Sequence, residues 1–288
     1  MRLSTREITG TTFCAALYAV GSFLTAYVQS PWGLGQFRPA VVIPAVFSIV
    51  FGALPAGIGS AIGTLICDSV KHGQLYIPSL VSAVPGNFIG FYMLGKMLQG
   101  KFSWQRFVVA GIVTLAVSNA ITAFLYVPAN YFLGAIPASL AISDLVILAT
   151  ALTVWWFVTM LPFMLLVTPP IIKAVSAAIP SFVPEDVRSV SLRSELPQPL
   201  FAKSLFLPGV GLLAIWLLLS FTPLGQILLY GLVIKLKSGA AISVEAMEAL
   251  FLISGIVLSV IGALVYIRLP KTAKSGTSIE GQAKFKKA

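Results

Sequence analysis

Apolar runs of about twenty residues recur along the chain and are nearly free of charge, and no other feature restricts the fold as strongly. Such a run crossing a bilayer must bond every backbone N–H and C=O internally, which a helix does. Composition agrees. Of 288 residues, 58% are hydrophobic and 10% are charged, against roughly 25% charged in a soluble domain. That leaves too little polar surface to coat a soluble globule of this length. A cytosolic enzyme, a disulfide-built secreted domain and a disordered chain are excluded. The expected fold class is an all-α polytopic membrane protein.

Hydropathy predicts eight spans: Ile8–Val28, Pro39–Ala53, Pro55–Ser69, Ile77–Leu98, Phe107–Leu133, Asp144–Ile172, one within Ser204–Leu236 interrupted near Pro223, and Ala246–Leu269. The second and third are short, and a Leu-Pro turn is expected between them. This divides the chain into a six-helix membrane domain (1–174), a linker (175–203), a two-helix extension (204–269) and a basic tail (270–288). The linker holds four prolines and is expected to form a short surface helix near Glu185–Arg193.

The net charge is +10. In a soluble protein that would point to nucleic acid. Here the basic residues fall in loops and in the tail, which fits contact with anionic membrane lipids. With eight spans and the N-terminus inside, 15 of the 19 Lys and Arg residues lie on the cytoplasmic side. That bias predicts both termini cytoplasmic.

Reactive chemistry is sparse. The chain has no G-x-x-x-x-G-K-[ST], H-E-x-x-H, C-x-x-C or G-x-S-x-G run. His72 alone cannot build a histidine metal cage. Cys14 and Cys67 lie in apolar segments and read as packing residues. Neither catalysis, a cofactor nor a metal is expected.

The few polar residues in the spans form a pattern. Asn119, Tyr126 and Asn130 share one face of a helix. Asn87 lies mid-span, and Asp144 and Trp155 share a face of the sixth span. With Arg38, and with Trp32 in a turn-rich loop that would act as a lid, these residues predict a pocket opening outward for a small polar molecule. Each asparagine alone would equally suit a bond between neighbouring helices. Asp68, Lys71 and His72 are expected in a solvated loop. Thr11, Ala15, Ala19, Ser22 and Ala26 make a smooth stripe on the first span, suited to close approach of another helix, from the same chain or from a partner.

Two stretches resemble the substrate-binding S components of energy-coupling factor (ECF) transporters. One is Ala15-Ala16-Leu17-Tyr18-Ala19. The other runs from Phe37-Arg38-Pro39 and Ile43-Pro44 through Phe51-Gly52-Ala53-Leu54-Pro55-Ala56-Gly57 to Cys67-Asp68. The likeness covers residues 5–175. It implies a six-helix capture subunit for a vitamin-like micronutrient. Such a subunit topples in the membrane against a transmembrane coupling subunit driven by two separate ATPases. It also implies that Ala15 and Ala19 face the coupling subunit and that the Trp32 loop gates the site. Known S components commonly end after six helices, and this chain adds a linker and two more. A membrane sensor or scaffold, and a stand-alone secondary transporter, are the competing readings.

Overall fold

A computed structural model describes residues 4–190, 199–226, 231–236 and 244–268. The expected tail (270–288) and the end of the expected surface helix (191–193) lie outside these residues. The described part is helical apart from turns and one isolated bridge between Gln29 and Gln36.

The first helix, α1 (Thr5–Phe23), starts at a capping box. Glu7 Nα bonds the Ser4 hydroxyl, and the Glu7 carboxylate accepts from the Ser4 N–H at 2.8 Å. A 3₁₀ turn (Pro39–Val41) leads into α2 (Val42–Val50), followed by α3 (Ala53–His72). The turn between α2 and α3 falls at Phe51-Gly52, not at the expected Leu-Pro. Gly52 takes φ 93°, a backbone state that L side chains disfavour. Pro55 instead sits in the first turn of α3, where its missing N–H is not needed. The predicted fourth span is split at Ser82 into α4 (Ile77–Val81) and α5 (Ala83–Leu98). Pro85 lacks the N–H that would bond the Val81 carbonyl, so the helix breaks there. Two long helices follow, α6 (Trp104–Phe132) and α7 (Ile142–Ala178). The surface helix is α8 (Glu185–Ser189). The extension contains α9 (Pro199–Phe221), the short α10 (Pro223–Gln226) and α11 (Leu232–Leu236), and α12 (Val244–Ile267).

Among the described residues, six helical segments are long and apolar enough to cross a membrane: α3, α4 with α5, α6, α7, α9 and α12. The first two expected spans fall outside that set. Pro39–Val50 is apolar but has 12 residues, about 18 Å of helix against a hydrocarbon core of about 30 Å. α1 has the length but carries Arg6, Glu7 and four threonines.

Helices α1, α3, α5, α6 and α7 pack in sequence, and α2 touches α1, α3, α5 and α7. Glycines set the close approaches. A Cβ added at Gly59 would lie 2.5 Å from the Cys14 Cβ, and one at Gly63 would lie 2.7 Å from the Ala15 carbonyl. The smooth stripe of α1 therefore mates with α3 inside the chain. Ala15 and Ala19 are 6% and 7% exposed, which corrects their expected place on a partner interface. The outward face of α1 carries Thr12, Phe13, Ala16, Leu17 and Val20 instead. Helices α9 and α12 pack on each other and contact α6 and α7, respectively.

Candidate functional site

Four of these elements leave a cavity between them near one end of the bundle. It is lined by α3, α5, α6 and α7 and covered by the loop from Gln29 to Gln36. The space between its lining atoms, open solvent at the mouth included, is about 810 Å³.

One wall is built on charge. The loop ends at Arg38, whose guanidinium is buried and bonds Asp68 Oδ1 at 2.5 Å and the Thr64 hydroxyl. Asp68 also accepts from Gln36 Nε2 at 2.8 Å and from the Ser79 hydroxyl at 2.5 Å. Thr64, Asp68 and Lys71 lie at helical spacing on one face of α3. Asp68 is thus not in a solvated loop. It is 6% exposed, and its three bonds, with the Thr64 bond of Arg38, compensate for removing both charges from water.

A second wall is aromatic and amidic. His72 Nδ1 bonds the Asp68 carbonyl at 2.8 Å, and its ring stacks on Tyr76 with centroids 3.7 Å apart. The Tyr76 hydroxyl donates to Asn130 Oδ1 at 3.2 Å and lies 3.1 Å from the Tyr126 hydroxyl. Burial pushes the Tyr76 phenol above its ordinary pKa, so it remains protonated and able to donate. The Tyr126 and Trp156 rings meet edge to face at 6.1 Å. Trp156 Nε1 donates to the Gln36 carbonyl at 3.1 Å, which fastens the covering loop to α7.

Of the residues expected to bind a solute, Arg38, Asn87, Asn119, Tyr126 and Asn130 line this cavity. Trp32, Asp144 and Trp155 do not. Trp32 and Trp155 are buried in the apolar core. Asp144 caps the start of α7 through the Ala141 N–H and pairs with Lys235 at 2.6 Å. Trp156, one residue or about 100° further round α7, takes the place expected of Trp155. Gln36, Tyr76 and Thr122, not singled out in the sequence, and Asp68, Lys71 and His72, expected in a solvated loop, also line it. Thr122 was legible, since it lies on the Asn119–Tyr126–Asn130 face. Asp68 was legible too, because an acid in an apolar run is costly and is kept for use.

One polar group in the cavity is unanswered. Asn119 is 5% exposed, and its Nδ2 has no hydrogen-bond partner among the described residues. The amides of Asn87 and Asn130, by contrast, donate to the carbonyls of Ala83 and Tyr126 one turn earlier. A buried unpaired donor costs about 1–3 kcal/mol, and a bound molecule accepting from it would remove that cost.

The family model for the ECF-type riboflavin transporter, S component, matches residues 2–176. The chain belongs to this family. No curated protein and no solved structure matches the chain. As an S component it is a multi-pass membrane protein that binds a vitamin-like substrate for an ECF transporter, and its family associates with coupling and ATPase subunits. The family is one of transport subunits, not of enzymes. The matched stretch ends within α7, so this S component's linker and helices α9 to α12 lie beyond it.

Proposed function

We propose that this chain captures riboflavin from outside the cell and delivers it for uptake driven by two partner ATPases acting through a transmembrane coupling subunit. The unpaired Asn119 amide carries this reading, because it is a buried donor on a residue that lines this cavity. A flavin ring is planar and edged with acceptor oxygens and nitrogens. Trp156, Tyr126 and Tyr76 offer aromatic surface for such a ring. Asn87, Asn119 and Asn130 offer amides to its edge, and Gln29 and Gln36 suit a hydroxylated chain. In this reading the cavity opens outward and both termini are cytoplasmic, as the loop charges favour. The coupling subunit meets the outward face of α1, where Thr12, Ala16 and Val20 are exposed at spacing four.

The test is flavin retention by the purified protein. Riboflavin fluorescence should be quenched on binding and should recover on denaturation. Protein that neither retains nor quenches riboflavin would refute the assignment. Riboflavin uptake without any ATPase would favour the secondary-transporter reading.

A further inference from the structure

A groove lies apart from the cavity, on the surface between α1, α2 and α7. It encloses about 880 Å³, open solvent included, and every residue lining it is apolar. Val46, Phe47 and Val50 line it from α2. Ile171, Val175 and Ile179, each about one turn from the next, line it from the end of α7 and just beyond. Leu17, Ile171 and Ile179 are 49%, 37% and 49% exposed. A contiguous exposed apolar surface of this kind marks a site of interaction with protein or membrane.

One end of the groove is polar. Phe51 and Phe182 line both the groove and a neighbouring crevice, which Thr5, Arg6, Thr9 and Ser181 complete. Arg6 is fixed there. Its Nη2 donates to the Val50 carbonyl at 3.1 Å and to the Phe182 carbonyl at 2.7 Å, and the guanidinium lies 5.8 Å from the centre of the Phe51 ring. These carbonyls hold the cation without neutralising it. Among the described residues Arg6 pairs with no carboxylate. Glu7, the next residue, is bonded to the Ser4 N–H and hydroxyl and does not line the crevice. Ile179, Ser181 and Phe182 lie beyond residue 176, so this chain's own linker builds part of the site.

Length decides the occupant. Arg6 and Leu17 are 11 residues apart on α1, about 16 Å along the helix. One leaflet of a hydrocarbon core of about 30 Å is about 15 Å deep. A fixed cation with one leaflet of apolar wall beyond it matches a single phospholipid. A partner's spanning helix would need about twice that length and would set apolar surface against Arg6. We propose that this groove seats an acyl chain of an anionic phospholipid, with the lipid phosphate received by Arg6 and the hydroxyls of Thr5, Thr9 and Ser181. Phosphate accepts charge-assisted hydrogen bonds from a guanidinium, and a basic residue at the membrane surface attracts anionic lipid. The site shares no residue with the cavity and does not depend on the flavin reading. Leu17 lies about 100° round α1 from Ala16, so the lipid sits beside the face assigned to the coupling subunit.

The experiment exchanges the purified full chain into micelles holding equal amounts of phosphatidylglycerol and phosphatidylcholine, and native mass spectrometry counts the lipids retained. The unaltered chain should keep phosphatidylglycerol in preference. Arg6→Gln should lower that retention by about fivefold, the contribution of one basic residue beside anionic lipid, and leave phosphatidylcholine within about twofold. Arg6→Lys, which keeps the charge, should preserve most of the preference. Val175→Trp, which fills the groove, should lower retention of both lipids, with thermal unfolding as the check that each variant is folded. Equal retention of the two lipids by the unaltered chain, or an unchanged preference in Arg6→Gln, overturns the proposal. A folded Val175→Trp chain that keeps its lipid but no longer co-purifies with a coupling subunit also overturns it, and gives the groove to a protein helix.

Discussion

The matched domain and the C-terminal helix pair are built from the same apolar alphabet, yet they bury different things. Among the described residues, buried polar residues run from Ser22 to Thr168, whereas α9 and α12 enclose the unpaired hydroxyls of Ser220 and Ser259. Between α5 and α6, close packing is combined with polarity. Gly90 lies against Ser118, whose hydroxyl donates to the Gly86 carbonyl at 2.9 Å. Between α9 and α12 the approach is as close, with an added Cβ at Gly209 falling 2.5 Å from the Ser259 backbone nitrogen. Among the described residues, no charged or amide side chain is buried on either helix. Tight helix packing in a membrane is thus a general solution. Binding capacity comes from the few polar groups that the packing encloses.

The comparison predicts a graded series of outcomes. The largest effect should come from Asp68→Ala, which leaves Arg38 buried without its counter-ion. Breaking a buried pair from one side costs about 3–5 kcal/mol, so thermal unfolding in detergent should shift sharply downward and flavin retention should be lost. An unchanged melting temperature would mean that the Arg38–Asp68 pair is not a structural centre of the cavity.

Asn119→Ala should act on binding and not on the fold. Its amide has no partner to lose, so the melting temperature of the empty protein should stay the same or rise. Riboflavin affinity should fall by about 5- to 150-fold, the equivalent of one buried hydrogen bond at about 1–3 kcal/mol. Equal affinity for variant and parent would place the ligand elsewhere.

Gly209→Val should reverse that split. Overpacking at this contact costs about 1–3 kcal/mol, yet the helix pair lines none of the cavity. Stability should drop, measured by unfolding or protease sensitivity of the extension, while riboflavin affinity stays within about twofold. A matching loss of affinity would show that the extension shapes the site. The smallest effect is expected from Lys235→Ala. This removes the ion pair that ties the extension to Asp144, with Lys235 half exposed. Such exposed pairs are screened by solvent and contribute little, so neither melting nor binding should change measurably.

Several of these distinctions cannot be drawn from local sequence. Asn119, Tyr126 and Asn130 fall on one face because helical periodicity puts them there, and α6 carries all three into the cavity. Periodicity says nothing about how far a helix is rotated toward its neighbours. Trp155 and Trp156 are equivalent in the sequence, and the rotation of α7 sends the first into the core and the second to the cavity. The stripe at Ala15 and Ala19 was legible as a site of close approach. Which helix approaches was not, because the complementary Gly59 and Gly63 lie some forty residues away in sequence.

The sequence by itself determined that this is a helical membrane protein with a polar interior, since lipid tolerates only internally bonded backbone and few charges. It also determined the polar face of α6. Tertiary structure alone decided that Arg38 meets Asp68 and that Asp144 turns away to Lys235. It likewise decided that the small face of α1 is spent inside the chain. These outcomes depend on contacts between segments far apart in sequence and on the rotation of each helix about its own axis. A hydropathy pattern encodes neither, because its period fixes relative positions within one helix only.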